Sequence, residues 1–328
     1  MKKLLSAGLC LSMFLLAGCQ GQPQDTTLTI TDQAGREVTF EEPCQTAASG
    51  YYITTTIMIG LQQQDKLTGI EMKPETRPIY AKAAEEILNL PQLGNKKMFN
   101  VEECAKADPD VVFLPVSLES YVEELEALDI PVVLLEPETA DDFEEAVEII
   151  GKVMGCEDKV DEYKQYEEDL LEKYELDEVE EEPTVYFAGS DLLTCATDDM
   201  YQGEILSYAQ ADNAIDAEGS SWVNIDIETL LAANPDYVFI EAGSLSANDF
   251  KNDARVQELQ AVQNDHVYVF PSTLETWDTP SLSSCLGKLW AASILHPELV
   301  SMDDVEAESV AFYEQFYGFT PEAQDLAL

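Results

Sequence analysis

Three features of the sequence predict an α/β fold of two lobes, each a mostly parallel sheet covered by helices, joined by a single long α-helix. Short apolar runs alternate with helical patterns along most of the chain. A stretch of about fifteen residues recurs without gaps 126 positions later. Between the two copies lies one long amphipathic helical pattern. The length of 328 residues suits two lobes of ordinary size better than one small core.

The N-terminus reads as a processing signal over residues 1–19. Lys2 and Lys3 precede an apolar run from Leu4 to Leu16, too short to span a bilayer as a mature helix. Leu16-Ala17-Gly18-Cys19 resembles the lipobox of bacterial lipoproteins, which implies that Cys19 is the lipidated first residue of the mature chain. An ordinary secretory signal cleaved nearby is the alternative. Two or more acyl chains on one residue hold a membrane where a single chain does not. Gln20 to Thr26 would be the tether.

Residues 28–40, with Leu28, Ile30, Val38 and Phe40 alternating around Asp32-Gln33-Ala34-Gly35, read as a β-hairpin. Apolar runs at Val111–Leu114, Val132–Leu135, Val185–Phe187, Tyr237–Ile240 and Val267–Phe270 read as strands buried on both faces. Leu118, Tyr121, Val122, Leu125 and Leu128 share one helical face, as do Phe143, Val147, Ile150 and Met154. The recurring unit runs from Asn100-Val101-Glu102 to Val111-Val112-Phe113-Leu114, and again from Asp226-Ile227-Glu228 to Tyr237-Val238-Phe239-Ile240. Each copy reads as a capped short helix, a Pro-Asp turn and a buried strand. Val160, Tyr163, Tyr166, Leu170 and Tyr174 place a long helix over Asp158–Leu176, before the acidic run Asp177–Glu182. The organisation is therefore a first lobe over 20–157, a linker helix over 158–178 and a second lobe over 179–328. A stiff strut between lobes limits hinge closure.

Charge and composition exclude several function classes. A formal charge of −48, from 65 acidic and 17 basic residues, repels nucleic acid and anionic lipid headgroups. Membrane attachment would then come from the lipid. Beyond the signal only Arg36, Arg77 and Arg255 carry guanidinium, too few to clamp a strongly anionic cargo. Cys44, Cys104, Cys156, Cys195 and Cys285 are odd in number and lack a CxxC spacing, so buried free thiols are expected rather than disulfides or a zinc site. His266 and His296 are too few to ligate a bare transition metal, and no metal site or resident cofactor is expected. A secreted enzyme is disfavoured because G-x-S-x-G and HExxH are absent. A surface adhesion lipoprotein, the other rival, would not require equivalent carboxylates on both lobes or an aromatic-lined cleft.

Nearly all of the mature chain resembles the helical-backbone, or class III, periplasmic binding proteins that serve ABC importers of ferric siderophores, haem and cobalamin. The likeness rests on Ile30-Thr31-Asp32…Gly35-Arg36-Glu37-Val38-Thr39-Phe40, the two Glu…Pro-Asp repeats, the strut pattern and Ala261-Val262…Val267-Tyr268…Phe270-Pro271. Trp277-Asp278-Thr279-Pro280…Leu286-Gly287…Leu289-Trp290…His296-Pro297-Glu298 and Phe312-Tyr313…Phe316-Tyr317-Gly318 extend it. The resemblance implies two Rossmann-like lobes, with cargo in the cleft at the carboxyl ends of the strands, where open α/β sheets bind ligands generally. It implies no enzymatic activity, an extracytoplasmic location, and a permease dimer with ATPase subunits as partner. It also implies one docking carboxylate per lobe, Glu102 and Glu228 by position. A Glu in a helix's first turn is equally favoured by the macrodipole.

Candidate cargo residues are those expected just after strands. They are Tyr51, Tyr52, Arg77, Phe99 and Ser117 in the first lobe, and Tyr201, Gln202, Trp222, Glu275 and Trp277 in the second. Aromatics suit a bulky ligand because they bury large area at small entropy cost. Arg77, after Lys73-Pro74-Glu75, is expected on a mobile surface segment, and Trp290 in the core. The expected cargo is a metal chelate, a ferric siderophore or haem. Cobalamin or another corrinoid, or molybdate or tungstate held by backbone N–H groups, are the alternatives.

Overall fold

In the computed structural model, residues 27–176, 179, 181–217, 219 and 221–328 are described; Cys19 and the signal lie outside them. The strands of the first half are β1 (Leu28–Thr31), β2 (Glu37–Phe40), β3 (Ala47–Ser49), β4 (Leu67–Gly69), β5 (Gly94–Asn95), β6 (Met98–Phe99), β7 (Val111–Pro115) and β8 (Val132–Leu135). The expected hairpin is β1 against β2, antiparallel. The first sheet is parallel throughout, in the order β4-β3-β7-β8. All five residues of β7 and all four of β8 are buried. Continuous apolar runs are what a parallel sheet covered on both faces requires.

The second half holds β9 (Thr184–Ala188), β10 (Thr194–Cys195), β11 (Asp212–Asn213), β12 (Val223–Asn224), β13 (Tyr237–Ile240) and β14 (Val267–Val269). Its core, β9-β13-β14, is parallel and repeats the order β3-β7-β8. The antiparallel strands β10 and β12 extend the β9 edge. The two recurring stretches lie in different sheets, as a duplicated lobe requires.

The duplication holds atom by atom. The Asn100 side chain accepts from the Glu103 N–H at 3.1 Å, and Asp226 accepts from Thr229 at 2.8 Å, capping helices Val101–Ala107 and Ile227–Ala233. Asp110 accepts from the Thr46 N–H at 2.8 Å just before β3, and Asp236 accepts from the Thr184 N–H at 2.9 Å at the start of β9. The Pro-Asp turn thus ties each repeated strand to its sheet neighbour.

Helix Ala140–Met154 is capped by Thr139, which accepts from Asp142, and buries Phe143, Ala146, Val147, Ile150 and Val153. It packs against the strut helix Glu157–Lys173 at Gly151, where a Cβ would lie 2.4 Å from Val160 Cγ2. Any larger residue there would force the two helices apart. The strut buries Val160, Tyr163 and Leu170, and it stops short of the expected Leu176. Tyr208 Oη donates to the carbonyls of Leu171 (3.3 Å) and Tyr174 (3.1 Å), satisfying last-turn acceptors that would otherwise need a further helical turn. The segment expected as one helix after β7 is a tight 3₁₀ turn over Val116–Tyr121 followed by helix Val122–Glu126, and Leu128 is exposed.

A second brace was not expected. Helix Met302–Phe312 and the wide turn Tyr313–Tyr317 run beside the strut, with Phe312 and Phe316 against Tyr166. Gln62 donates to the Gln315 carbonyl at 3.0 Å, and Lys82 pairs with Asp325 at 2.9 Å. The chain's last residues, assigned by sequence wholly to the second lobe, therefore also grip the first. All five described cysteines are buried and free, and burial pushes the Cys44 and Cys104 thiols up to about 12. No helix among the described residues is long and apolar enough to cross a membrane.

Candidate functional site

The loops leaving β3 and β4 bring Tyr51, Tyr52 and Glu71 to the carboxyl edge of the first sheet. Opposite them stand the segments after β13 and β14, Glu241–Ser244 and Pro271–Asp278. The lobes touch here directly, through the Ile79 N–H and the Leu274 carbonyl at 3.3 Å. Two hollows meet at this edge and share Tyr52 and Arg77. One, of about 410 Å³, is lined by Gly50, Tyr51, Tyr52, Met72, Arg77 and Lys96, among others. The other, of about 220 Å³, lies between Tyr52 and Arg77 on one side and Ser272–Thr276 on the other.

Arg77 is the centre of the edge. Its guanidinium carbon sits 3.9 Å from the Tyr52 ring centroid, and its Nε lies 3.4 Å from Glu71 Oε1. Glu71 is buried; its Oε1 accepts from Tyr80 Oη and its Oε2 from Thr55 Oγ1, both at 2.7 Å. Arg77 is not on a mobile segment. Thr76 bonds back to the Lys73 carbonyl through both N–H and Oγ1, and prolines at 74 and 78 restrict the backbone.

Lys96, at the tip of the β5–β6 hairpin, hangs 4.9 Å from the Tyr51 ring centroid and 5.9 Å from that of Tyr52. It also pairs with Glu138 at 3.5 Å, which in turn accepts from Tyr51 Oη at 3.5 Å. Burial, with Glu138 nearby, raises the Glu136 carboxyl. Around the first-lobe wall Arg77 is paired with Glu71 and Lys96 with Glu138, with Lys97 and Glu136 the further charges of each sign. Burial raises the Tyr52 phenol; Arg77 pulls it back, while Glu138, Glu241 and Asp278 push it further. Across the cleft, burial raises Glu241 and pushes Asp278 up to about 7, although the Ala242 N–H donates to Asp278 Oδ2 at 2.9 Å.

The remaining expected residues divide in two. Trp222 is partly exposed and packs over Gly189 at the end of β9, where a Cβ would lie 2.6 Å from the indole. Ser117 is exposed and donates to the Lys96 carbonyl at 3.2 Å, fixing the hairpin tip. Glu275 lines the smaller hollow but is held from behind by Ser283 (2.6 Å) and Tyr317 (2.7 Å). Four belong to the core instead. Phe99 packs against Tyr121, because in β6 the alternation turns Met98 outward. Tyr201 donates to Ser284 Oγ at 2.5 Å beside the strut. Gln202 donates to the Asp278 carbonyl at 2.7 Å, and Trp277, fully buried, donates to Tyr313 Oη at 3.1 Å. These last two hold the Thr276–Asp278 loop in place. Trp290 is buried, as expected.

Glu71, Lys96 and Glu241 were missed. Lys96-Lys97 carried a signal: apart from Lys2-Lys3 it is the one Lys-Lys pair in a chain with 17 basic residues. Glu71 carried none, being one of 65 acids. Two other hollows, of about 680 and 400 Å³, lie beside helices Ala140–Met154 and Tyr201–Tyr208, and Asp141, Glu144, Glu167 and Glu204 are among their walls. Their lysines, Lys164 and Lys288, are already paired with glutamates. At the Tyr52–Arg77 edge, by contrast, the cations Arg77, Lys96 and Lys97 line the hollow.

A family model described as periplasmic binding protein matches residues 48–274. The molybdate-binding protein MolA of Haemophilus influenzae is 23% identical over 317 residues, covering 88% of this chain and 90% of MolA. The structure of MolA bound to molybdate superposes with a TM-score of 0.76 at 22% identity, covering 90% of this chain and 99% of that one. A periplasmic solute-binding protein of Veillonella parvula gives 0.77 at 20% identity, covering 92% and 97%. Helicobacter pylori CeuE, solved as a Ni-His complex, gives 0.72 at 18% identity, covering 91% and 97%.

Proposed function

This chain belongs to the periplasmic binding protein family, and on that premise we propose that it receives a metal chelate of low net charge for an ABC importer. The cargo class is that of ferric hydroxamate siderophores. The observation that carries this reading is the 410 Å³ hollow walled by Tyr51, Tyr52, Met72 and Arg77. Pockets for organic ligands run from roughly 300 to 1,000 Å³, much more than a four-oxygen ion fills. The near balance of Arg77, Lys96 and Lys97 against Glu71, Glu136 and Glu138 suits a weakly charged complex better than a triscatecholate. Molybdate is the second reading. The likeness to MolA and the Arg77 terminal nitrogens, without a hydrogen-bond partner among the described residues, favour it.

The chain acts outside the cytoplasm, as its family does, and the proposal includes a lipid anchor at Cys19. Docking to the permease falls to Glu102 and Glu228. Both are exposed in the first turns of the duplicated helices, and Glu102 is shared with Lys106 at 3.0 Å. Equivalent carboxylates on two lobes present a two-fold charge pattern that orients as well as binds.

The test is calorimetric titration of the soluble form beginning at Gln20 with ferrioxamine, haem, cobalamin, molybdate and tungstate. Saturable binding of ferrioxamine, weakened by Arg77→Met, is the expected result. Binding of molybdate alone would transfer the assignment to the second reading. Silence from all five would remove both.

A further inference from the structure

We propose that Glu71 is a positioning residue whose buried carboxylate aims the Arg77 guanidinium into the cleft, so that the cargo presents a two-oxygen edge there: a carboxylate, a hydroxamate or one edge of an oxyanion. The inference rests on the reading that cargo contacts Arg77.

The geometry constrains Arg77 from two sides. Tyr52 covers one face of the guanidinium at 3.9 Å, and Glu71 holds the Nε edge at 3.4 Å. Among the described residues neither terminal nitrogen has a hydrogen-bond partner, and the side chain is 34% exposed. A guanidinium ion-paired on its Nε side and stacked on one face keeps a fork of parallel terminal N–H groups for a ligand. Arg77 lines both the hollow shared with Lys96 and the smaller one beside Ser272–Thr276.

The carboxylate is more than a structural acceptor. A glutamine oxygen would satisfy Tyr80, and its amide nitrogen could donate to the Thr55 hydroxyl in place of accepting from it. Burying a charge costs free energy unless a partner offsets it, and Arg77 is the cation within ion-pair distance of Glu71. Burial, with Glu71 beside it, holds the Tyr80 phenol well above its usual range, so Tyr80 stays a donor at every working pH. Ser49 extends the support: its Oγ lies 2.9 Å from Thr55 Oγ1, whose one proton goes to Glu71, and 2.8 Å from the Tyr51 carbonyl, and the single Ser49 proton serves one of these two acceptors. One buried network therefore sets both the Tyr51–Tyr52 turn and the guanidinium.

The mature chain holds three arginines, so the Nε–H region of a ¹⁵N spectrum holds three side-chain signals, and Arg77→Met assigns the one in question. In ligand-free protein, Glu71→Gln is expected to move that signal and speed its hydrogen exchange, leaving those of Arg36 and Arg255 in place. An unchanged Arg77 signal overturns the proposal. Should Glu71→Gln fail to fold, Tyr80→Phe, which removes one donor from the same carboxylate, is expected to shift the same signal, and constancy there is equally fatal. Titration with ferrioxamine and with molybdate adds a double-mutant cycle. Glu71→Gln is expected to weaken the probe that binds by about tenfold when Arg77 is present, and not at all in the Arg77→Met background. An equal loss in both backgrounds overturns the positioning role. If Arg77→Met alone leaves binding of both probes intact, the cargo assignment fails, while the spectrum still decides what Glu71 does.

Discussion

Asp108 and Asn234, 126 positions apart, end their helices in the same left-handed conformation, with φ and ψ of 51° and 53° in one and 42° and 61° in the other. Both residue types tolerate this region because a short polar side chain bonds locally. Each is followed by Pro-Asp and a buried parallel strand. The cleft lies between two versions of one unit, and what differs between the versions is what makes the site.

Charge reversal at both Glu102 and Glu228 tests the docking proposal. Uptake in cells is expected to collapse while cargo affinity of the purified protein stays within about twofold, since rim charges on two remote helices act mainly on association. Normal uptake by the double variant would refute the assignment.

Asp236→Ala removes the acceptor of the Thr184 N–H (2.9 Å) and Oγ1 (2.7 Å). A loss of about 1–3 kcal/mol is expected, from hydrogen bonds to a charged acceptor. Urea unfolding reads it directly. A change under half that would mean the β9–β13 junction is held by the ladder alone.

Asp278 makes stability fall as pH rises. Its folded-state value of about 7 lies above an ordinary carboxyl, so the unfolded chain releases the proton first. The protonated form's stabilisation is complete below about pH 4 and is lost between pH 4 and 7, by up to about 4 kcal/mol. Asp278→Asn keeps an acceptor for Ala242 and cannot titrate. Subtracting its urea stability from that of the parent is expected to give a difference that declines over this window and levels off above it. A flat difference would show that the carboxyl is solvated.

Trp222 is the partly exposed indole, whereas Trp277 and Trp290 are buried. Fluorescence changes on cargo binding are therefore expected to report mainly Trp222. Trp222→Phe should remove most of the signal, with affinity measured calorimetrically. A full signal in that variant would move the reporter into the core.

The sequence by itself determined the two sheets, the duplication and the strut, because each rests on local pattern. Apolar runs of strand length, caps such as Asn100 and Asp226, and the spacing of Val160, Tyr163 and Leu170 are written along the chain. It also pointed to Tyr52 and Arg77, which meet at the carboxyl edge of the first sheet, and to Trp222, which packs over Gly189. Only the tertiary structure decided which neighbours of those residues face the cleft. Trp277 and Tyr201 sit in loops and helix starts like true cleft residues, yet their polar tips find Tyr313 and Ser284 across gaps of 36 and 83 positions. Glu71 matters through Thr55, Tyr80 and Arg77, which converge on it only after the β4 loop folds beside the helix that follows β3. Burial and partnership are properties of packed space, and a chain with 65 acids gives no local sign of which one is buried.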